Sequence, residues 1–234
     1  RYVSKRIGDL GEVAGRKIAV PLGSSGRKAI PLAMLGAHVT VIDISPENAR
    51  FALKTASAAG VELEYVVSDL FDLRLEEWRG QFDIVYLEGG ILHYFADLAA
   101  FASIVNELLK PGGRLVLNDY HPVRKMVKFG EDGAPALDGD YFDSALARGD
   151  VAYKGMFPPD EQDGFPDCLL RFWTMGEIVS AIAASGLVIG KLTESPRSDR
   201  HAHLPGEFTL VADKCKVDRS QAGTATLHTL ANIG

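Results

Sequence analysis

The chain has 234 residues, of which 47% are hydrophobic and 24% are charged, and its net charge is −6 with neutral histidines. This composition excludes a disordered chain, a collagen and a coiled coil, and no apolar run reaches the roughly 18 residues of a membrane-spanning helix. The acidic balance disfavours general nucleic-acid binding, because a field of that sign repels phosphate.

Short apolar strands alternate with helical segments from about residue 16 to residue 120. Ser45, followed by Pro46, predicts a helix start, and Gly60 predicts the end of that helix. Asp97 predicts the N-cap of a later helix, whose apolar residues recur at helical spacing. Strands that alternate with helices in this way predict right-handed βαβ units and an α/β fold with a doubly wound, mostly parallel sheet. The first five strands are predicted at residues 17–22, 38–43, 63–67, 82–87 and 114–118.

This alternation stops between residues 121 and 172, where helical spacing is lost. Residues 120–173 contain nine of the 20 aromatic side chains, so we expect a lid or a pocket wall. The alternative is that this segment only packs on the sheet edge. A capping-box spacing at residues 174–177 predicts a further helix, and two final strands are predicted at 187–192 and 208–212.

We expect a single domain over residues 1–214, with 121–172 as a substrate-side insert and 215–234 as a polar tail. Cys168 and Cys215 are isolated and form no disulfide framework. That usage fits a reducing compartment, and no signal peptide is recognised, so we expect a cytoplasmic protein.

Two features at predicted strand ends indicate a nucleoside ligand. The Gly23–Gly26 loop joins a strand to a helix, and its small residues let the backbone approach a ligand. Asp43 ends the second strand, where a carboxylate can accept hydrogen bonds from both hydroxyls of a ribose. Each feature alone also occurs as a plain turn or strand cap. The dinucleotide pattern GxGxxG is absent, which favours S-adenosylmethionine over a nicotinamide dinucleotide, since S-adenosylmethionine has no pyrophosphate.

The order of these pieces resembles the core of the class I S-adenosylmethionine-dependent methyltransferases, in their small-molecule branch. This resemblance implies a Rossmann-like fold, a closing helix with a C-terminal antiparallel hairpin, and in-line methyl transfer from S-adenosylmethionine to a small-molecule acceptor. The stretches that carry it are AVPLGSSGRKAIPLAMLGA, VTVIDISPENAR, YVVSDLFDL, FDIVYLEGGILHYF, LLKPGGRLVLNDYHP, FWTMGEIVSAIAASGLVIGKLTESP and FTLVADK.

The resemblance also implies which residues bind the cofactor. They are Gly23, Ser24 and Gly26 at its methionine part, Asp43 and Ile44 at its ribose and adenine, Asp69 and Leu70 at its adenine, and Glu88 and Gly89 near its sulfur.

The first loop departs from the family pattern, which usually has an acidic residue before the first glycine. This chain has Val-Pro-Leu-Gly-Ser-Ser-Gly at residues 20–26, so the usual carboxylate contact to the cofactor's amino group is not predicted, and serine hydroxyls or backbone carbonyls could replace it. The departure motivates one alternative, a protein that binds S-adenosylmethionine without catalysis. A nicotinamide-dependent oxidoreductase is the other alternative, and the missing third glycine argues against it.

Two histidines follow predicted strands at the cleft, His93 after the fourth and His121 after the fifth. Imidazole titrates near pH 6.5, so either histidine suits the removal of a proton from a hydroxyl acceptor. We prefer His121 as the catalytic base, with Asp119 as the residue that orients it. The alternatives are that His93 only packs and that His121 is a structural corner before Pro122. An Asp-x-His pair can also bind a metal, but no third ligand is evident and no metal site is predicted.

Overall fold

A central seven-stranded sheet organises the part of the chain that the computed structural model describes, which is residues 5–151 and 167–216 with Lys154, Pro158, Asp160 and Gln162. In chain order, the strands are β1 (Lys17–Pro21), β2 (His38–Asp43), β3 (Glu64–Val67), β4 (Phe82–Glu88), β5 (Leu109–Tyr120), β6 (Val127–Phe129), β7 (Pro135–Leu137), β8 (Leu146–Asp150), β9 (Asp167–Arg171), β10 (Leu187–Pro196) and β11 (Pro205–Lys214). The α-helices are α1 (Ile7–Leu10), α2 (Ala29–Met34), α3 (Pro46–Ala58), α4 (Leu98–Leu108) and α5 (Met175–Ala184).

The strand order of the large sheet is β10-β11-β5-β4-β1-β2-β3. Strands β1 to β5 pair in parallel, whereas β11 is antiparallel to both β5 and β10. The doubly wound, mostly parallel sheet and the C-terminal antiparallel hairpin are therefore confirmed. From β1 the chain adds β2 and β3 on one side and then β4 and β5 on the other, so the strand order reverses between β1 and β4. Such a switch point opens a crevice at the carboxyl ends of the strands.

Helices cover both faces of this sheet. On one face, α4 and α5 bury apolar side chains such as Phe101, Val105 and Ile182 against β4, β5 and β11. On the other face, Leu32 of α2 packs against β1 and β2. Each large side chain buried in this way stabilises the fold by about 1.5–3 kcal/mol. The near-continuous apolar strands of the sequence are explained, because a sheet covered on both faces has no solvated side.

The three helix starts that the sequence predicts are all present. The side chain of Ser45 accepts a hydrogen bond from the backbone of Asn48, and the side chain of Asp97 accepts one from Ala100. Thr174 and Glu177 form a complete capping box. Each such cap stabilises its helix by about 1 kcal/mol.

Strand β5 begins earlier than the sequence predicts, at Leu109 instead of Arg114. The Lys110–Gly113 segment runs inside the strand, whose register against β4 shifts between Phe82 and Ile84. A β-carbon at Gly113 would lie 2.9 Å from the carbonyl oxygen of Lys110, so glycine permits this close approach.

The insert is more regular than the sequence indicates. After a 3₁₀ turn at Pro122–Met126, β6 pairs with β7 and β8 pairs with β9, both antiparallel. These strands have three to five residues and lie mostly exposed, so they show no burial alternation from which to predict them. Residues 152–153, 155–157, 159, 161 and 163–166 of the insert, and 217–234 of the expected tail, lie outside the described residues, and the domain boundaries stay predictions.

Trp173, the residue that directly follows the insert, is tied to the loop after β4. Nε1 of Trp173 donates to the backbone oxygens of Leu92 and Phe95 at 3.1 and 3.2 Å. The aromatic segment therefore stands beside the crevice. Within the part of the chain that the structure covers, no helix is long and apolar enough to cross a bilayer.

Candidate active site

The first loop is held in an unusual backbone conformation by side chains from two strands. Leu22 and Ser24 have positive φ angles of 53° and 47°, which residues other than glycine rarely adopt. The backbone N–H of Ser24 donates to Oδ2 of Asp43 at 3.0 Å, and the hydroxyl of Tyr65 donates to the oxygen of Ser24 at 2.9 Å. A β-carbon at Gly23 would lie 2.8 Å from Val41, so Gly23 lets the loop pack on β2.

Asp43 connects the first loop to the start of α3. Its Oδ1 accepts a hydrogen bond from the backbone N–H of Ser45 at 3.0 Å, while its Oδ2 accepts the one from the backbone N–H of Ser24. Each carboxylate oxygen has a second lone pair, so Asp43 keeps the capacity to accept hydrogen bonds from ligand hydroxyls. Burial and the negative charge of Asp43 raise the pKa of Tyr65, which therefore remains a protonated donor to the loop.

Exposed apolar side chains surround the ends of β2 and β3. Ile44 is 68% exposed and Phe71 is 44% exposed. Asp69 is also exposed, and its Oδ1 accepts from the backbone N–H of Phe71 at 2.8 Å. Leu70, implied by the resemblance to lie along the adenine, is 4% exposed and packs in the core instead. Phe71 supplies the accessible apolar surface at this position.

Glu88 lies in a charged group at the end of β4. Its carboxylate accepts from the hydroxyl of Tyr86 at 2.5 Å and lies 3.8 Å from Nζ of Lys28 and 3.9 Å from Nε of Arg6. Nζ of Lys28 donates to the backbone oxygen of Glu88 at 2.6 Å and stands 3.4 Å from where a β-carbon of Gly89 would lie. Burial lowers the pKa of Lys28, and Glu88 opposes that effect. Sequence reasoning missed Lys28, whose only signal is its place two residues after the first loop.

Asp119 is buried, at 3% exposure, and holds the loop that follows β4. Its Oδ1 accepts from the backbone N–H groups of Gly90 at 2.8 Å and Tyr120 at 2.6 Å. Its Oδ2 accepts from Ile91 at 3.0 Å and Leu92 at 2.7 Å. The sequence suggests that Asp119 orients His121, but these bonds engage both oxygens with the loop of His93.

His93 follows that loop and lies half-buried among rings. Its imidazole centroid is 4.3 Å from that of Tyr94 and 6.4 Å from that of Phe172. Neither ring nitrogen has a hydrogen-bond partner in the described part of the chain. Burial lowers the pKa of His93, with Asp119 acting in the opposite direction. A neutral imidazole with an available nitrogen meets the chemical requirement for a general base.

His121 is only 6% exposed, and both of its ring nitrogens are engaged. Nδ1 accepts from the backbone N–H of Val123 at 3.2 Å, which caps the 3₁₀ turn, and Nε2 lies 2.6 Å from Oε1 of Glu194 on β10. This geometry favours the alternative that His121 is a structural corner, and it favours His93 as the base.

A cavity of about 260 Å³ lies at the carboxyl ends of β4 and β5. His93, Asp119 and His121 all contribute to its wall, so the structure brings the three predicted catalytic residues together. None of the nine residues implied to bind the cofactor lines it; they lie at β1 to β4 and their following loops. In the described residues, no group of three His, Cys, Asp or Glu side chains could hold a metal ion.

Comparison with known proteins agrees with this architecture. The Mesorhizobium loti S-adenosylmethionine-dependent methyltransferase superposes with a TM-score of 0.69 at 22% identity, covering 90% of this chain and 96% of that one. A putative methyltransferase of the same kind from Listeria monocytogenes gives 0.71 at 19% identity, covering 92% and 98%. These likenesses confirm the Rossmann-like methyltransferase fold.

The matches found by sequence cover a smaller part of the chain than the structural ones do. Residues 20–117 match the family model described as "Methyltransferase domain", so the chain carries such a domain, as the resemblance predicts. A ubiquinone biosynthesis O-methyltransferase of Xanthomonas euvesicatoria pv. vesicatoria (strain 85-10) is 31% identical over 160 residues, which are 68% of this chain and 62% of the relative. One of Xylella fastidiosa (strain M23) is 32% identical over 161 residues, covering 68% and 61%. The match thus spans less than two thirds of these relatives.

Proposed function

We propose that this protein transfers a methyl group from S-adenosylmethionine to a hydroxyl group of a small-molecule acceptor. The observation that carries the proposal is the pairing of carboxylates with exposed apolar side chains at two neighbouring strand ends. The methyltransferase domain supports the reaction, and the names of the O-methyltransferase relatives support an oxygen acceptor. The net charge of −6 supports a small molecule over nucleic acid, and the separated cysteines support a cytoplasmic location.

The residues at the first three strand ends fit the chemistry of the cofactor. Asp43 would accept from the ribose hydroxyls, and Asp69 would accept from the adenine amine. Ile44 and Phe71 offer apolar surface for the adenine ring, which explains why two large hydrophobic side chains are left exposed beside carboxylates. At the methionine end of the cofactor, the cation of Lys28 suits the carboxylate group of an amino acid, and the carboxylate of Glu88 suits its ammonium group.

When bound, S-adenosylmethionine supplies an electrophilic methyl group on a sulfonium. The chain has to align the acceptor oxygen with that methyl group, exclude water and remove the hydroxyl proton. Phe172 and Trp173 form an aromatic wall of the cavity, and an acceptor packed against them would displace water from this side. An imidazole nitrogen of His93 accepts the proton, and Asp119 fixes the loop that positions His93.

The cofactor site can be tested at Ile44. Ile44→Glu places a charge where the adenine should lie, and the exposed side chain makes the change nearly neutral for folding. We expect it to weaken binding of S-adenosylhomocysteine about tenfold or more, measured by calorimetry. Phe51→Glu is the matched control, because Phe51 is 60% exposed on α3; its binding should equal that of the wild type.

The outcomes separate the proposal from its alternatives. Failure of the wild type to bind S-adenosylhomocysteine would refute the proposal. Binding without methylation of any hydroxyl, amine, thiol or carbon acceptor would favour a cofactor-binding protein that lacks catalysis. Binding of NADH with a change in its fluorescence would favour the oxidoreductase.

A further inference from the structure

The cavity beside His93 has more positive charge than its described surroundings neutralise. Arg124, Lys125, Arg171 and Arg197 all line it. The only carboxylate in the described wall is that of Asp119, whose two oxygens already accept four backbone N–H groups. We call this space, with its four cations, the basic cavity.

Arg171 is the one cation of the basic cavity that forms an ion pair with a carboxylate of the described residues. Its Nη2 donates to Oε1 of Glu177 at 2.9 Å, and its Nη1 donates to the backbone oxygen of Phe172 at 2.6 Å. These contacts tie β9 to the first turn of α5. Arg171 is therefore explained without a ligand, and the unexplained charge belongs to the other three residues.

Arg124, Lys125 and Arg197 form no ion pair with a carboxylate of the described residues. Lys125 donates only to the backbone oxygen of Asp143, at 3.1 Å, and Arg124 lies over the ring of Tyr120, 4.0 Å from its centroid. Nη1 of Arg197 is buried and has no hydrogen-bond partner in the described structure. A buried guanidinium nitrogen without an acceptor is unfavourable, so an acceptor from outside the chain would stabilise it.

The guanidinium groups of Arg124 and Arg197 also repel each other. Burial lowers the pKa of Arg197, and the positive charge of Arg124 lowers it further. Two like charges at one wall gain most from an anion that contacts both. A planar carboxylate matches the fork of N–H donors that a guanidinium presents.

Aromatic side chains complete the wall of the basic cavity. Tyr120, Phe172 and Trp173 line it together with His93. The volume of about 260 Å³ is just below the range of roughly 300–1,000 Å³ typical of small-molecule sites. Both features suit a compact, single-ring ligand.

We propose that the methyl acceptor is a hydroxyl-bearing aromatic carboxylic acid, whose carboxylate binds Arg124 and Arg197 while its ring packs against the aromatic wall near His93. This inference rests on the proposed function, because it names the substrate class of that same site. It makes the two arginines specificity-determining residues with no part in the proton transfer.

The test compares acids with their neutral amides. Benzoate, 3,4-dihydroxybenzoate and 3,4-dihydroxycinnamate are each titrated against the full chain by calorimetry, beside the corresponding amide, with and without saturating S-adenosylhomocysteine. We expect the best acid to bind at least about tenfold more tightly than its amide, since charge-assisted hydrogen bonds are roughly twice as strong as neutral ones. A higher salt concentration should weaken binding of the acid and leave binding of the amide unchanged.

Three variants show whether the arginines cause the preference. Arg124→Met and Arg197→Met should each remove most of it while leaving amide binding unchanged. Arg197→Lys should retain part of it, and its melting temperature reports on folding. Arg50→Met is the matched control, because Arg50 is an exposed cation on α3 paired with Glu47, and it should keep the full preference.

The proposal is overturned if no acid binds more tightly than its amide, including the case in which no acid binds at all. It is also overturned if the preference survives both methionine variants. Binding of S-adenosylhomocysteine is measured in the same preparation and reports separately on the proposed function. An intact cofactor titration with no acid preference refutes only the substrate class. Acid preference without cofactor binding refutes the methyl transfer, and with it the acid's role as methyl acceptor, but not the binding of acids by the two arginines.

Discussion

Replacing Asp119 with asparagine tests the central element of the site. The substitution keeps the shape of the side chain but turns one acceptor oxygen into an NH₂ donor. Because all four hydrogen bonds to Asp119 come from backbone N–H groups, two of those donors would then face another donor. At 3% exposure, water cannot replace the lost acceptor at the carboxylate itself.

The size of the effect follows from these contacts. A buried donor left without its partner costs about 1–3 kcal/mol, and two of them give roughly 2–6 kcal/mol. The loop of residues 90–92 can partly move toward solvent, so we expect the lower part of that range, about 2–4 kcal/mol. In a chain of this length, the corresponding fall in melting temperature is about 5–15 °C.

Urea unfolding and thermal melting measure this loss. Asp213→Asn is the matched control, because Asp213 binds Arg114 through a half-exposed ion pair near the middle of β5. That variant should lose less than about 1 kcal/mol. If Asp119→Asn unfolds within about 0.5 kcal/mol of the wild type, the four hydrogen bonds do not hold the loop as described, and the positioning of His93 through Asp119 is wrong.

Three further predictions concern the histidines. His93→Gln should lower methyl transfer to a hydroxyl acceptor by about 10²–10⁴-fold and leave the affinity for S-adenosylhomocysteine unchanged; equal rates would eliminate His93 as the base. In the wild type, activity should rise with pH through a pKa below 6.5, because burial lowers the pKa of His93 and the neutral form is the base; an acid limb above pH 6.5 would contradict this. His121→Ala should lower the melting temperature through loss of the contacts to Val123 and Glu194, yet keep the wild-type shape of the pH–rate profile. A profile that loses its acid limb in His121→Ala would restore His121 as the base.

Local signals in the sequence predict the frame of this molecule well. Ser45, Asp97 and Thr174 each cap a helix because an N-cap depends on a few consecutive residues. The strand positions follow from apolar runs that a doubly covered sheet requires. Asp43 and Asp69 lie at the ends of β2 and β3 in the structure, as the alternation of strands and loops indicates.

The partners of the polar side chains were beyond sequence reasoning. Asp119 stands two residues before His121 in the chain, which suggests a pair. However, β5 ends at Tyr120, between the two residues, and the carboxylate of Asp119 meets a loop 27 to 29 residues away. His121 instead meets Glu194 on β10, and that contact depends on how the C-terminal hairpin pairs beside β5.

The amino-acid sequence by itself therefore determined the fold class, the helix caps and the edge of the sheet at which chemistry-bearing residues collect, because each depends on local pattern and parallel connection. Only the tertiary structure decided which histidine has a ring nitrogen without a partner among the described residues, that Lys28 reaches the end of β4, and that Arg124 and Arg197 line one cavity. Those outcomes depend on strand register and on loop packing between distant segments. Hydrophobic periodicity predicts which side chains are buried, but it does not predict which distant residues they contact.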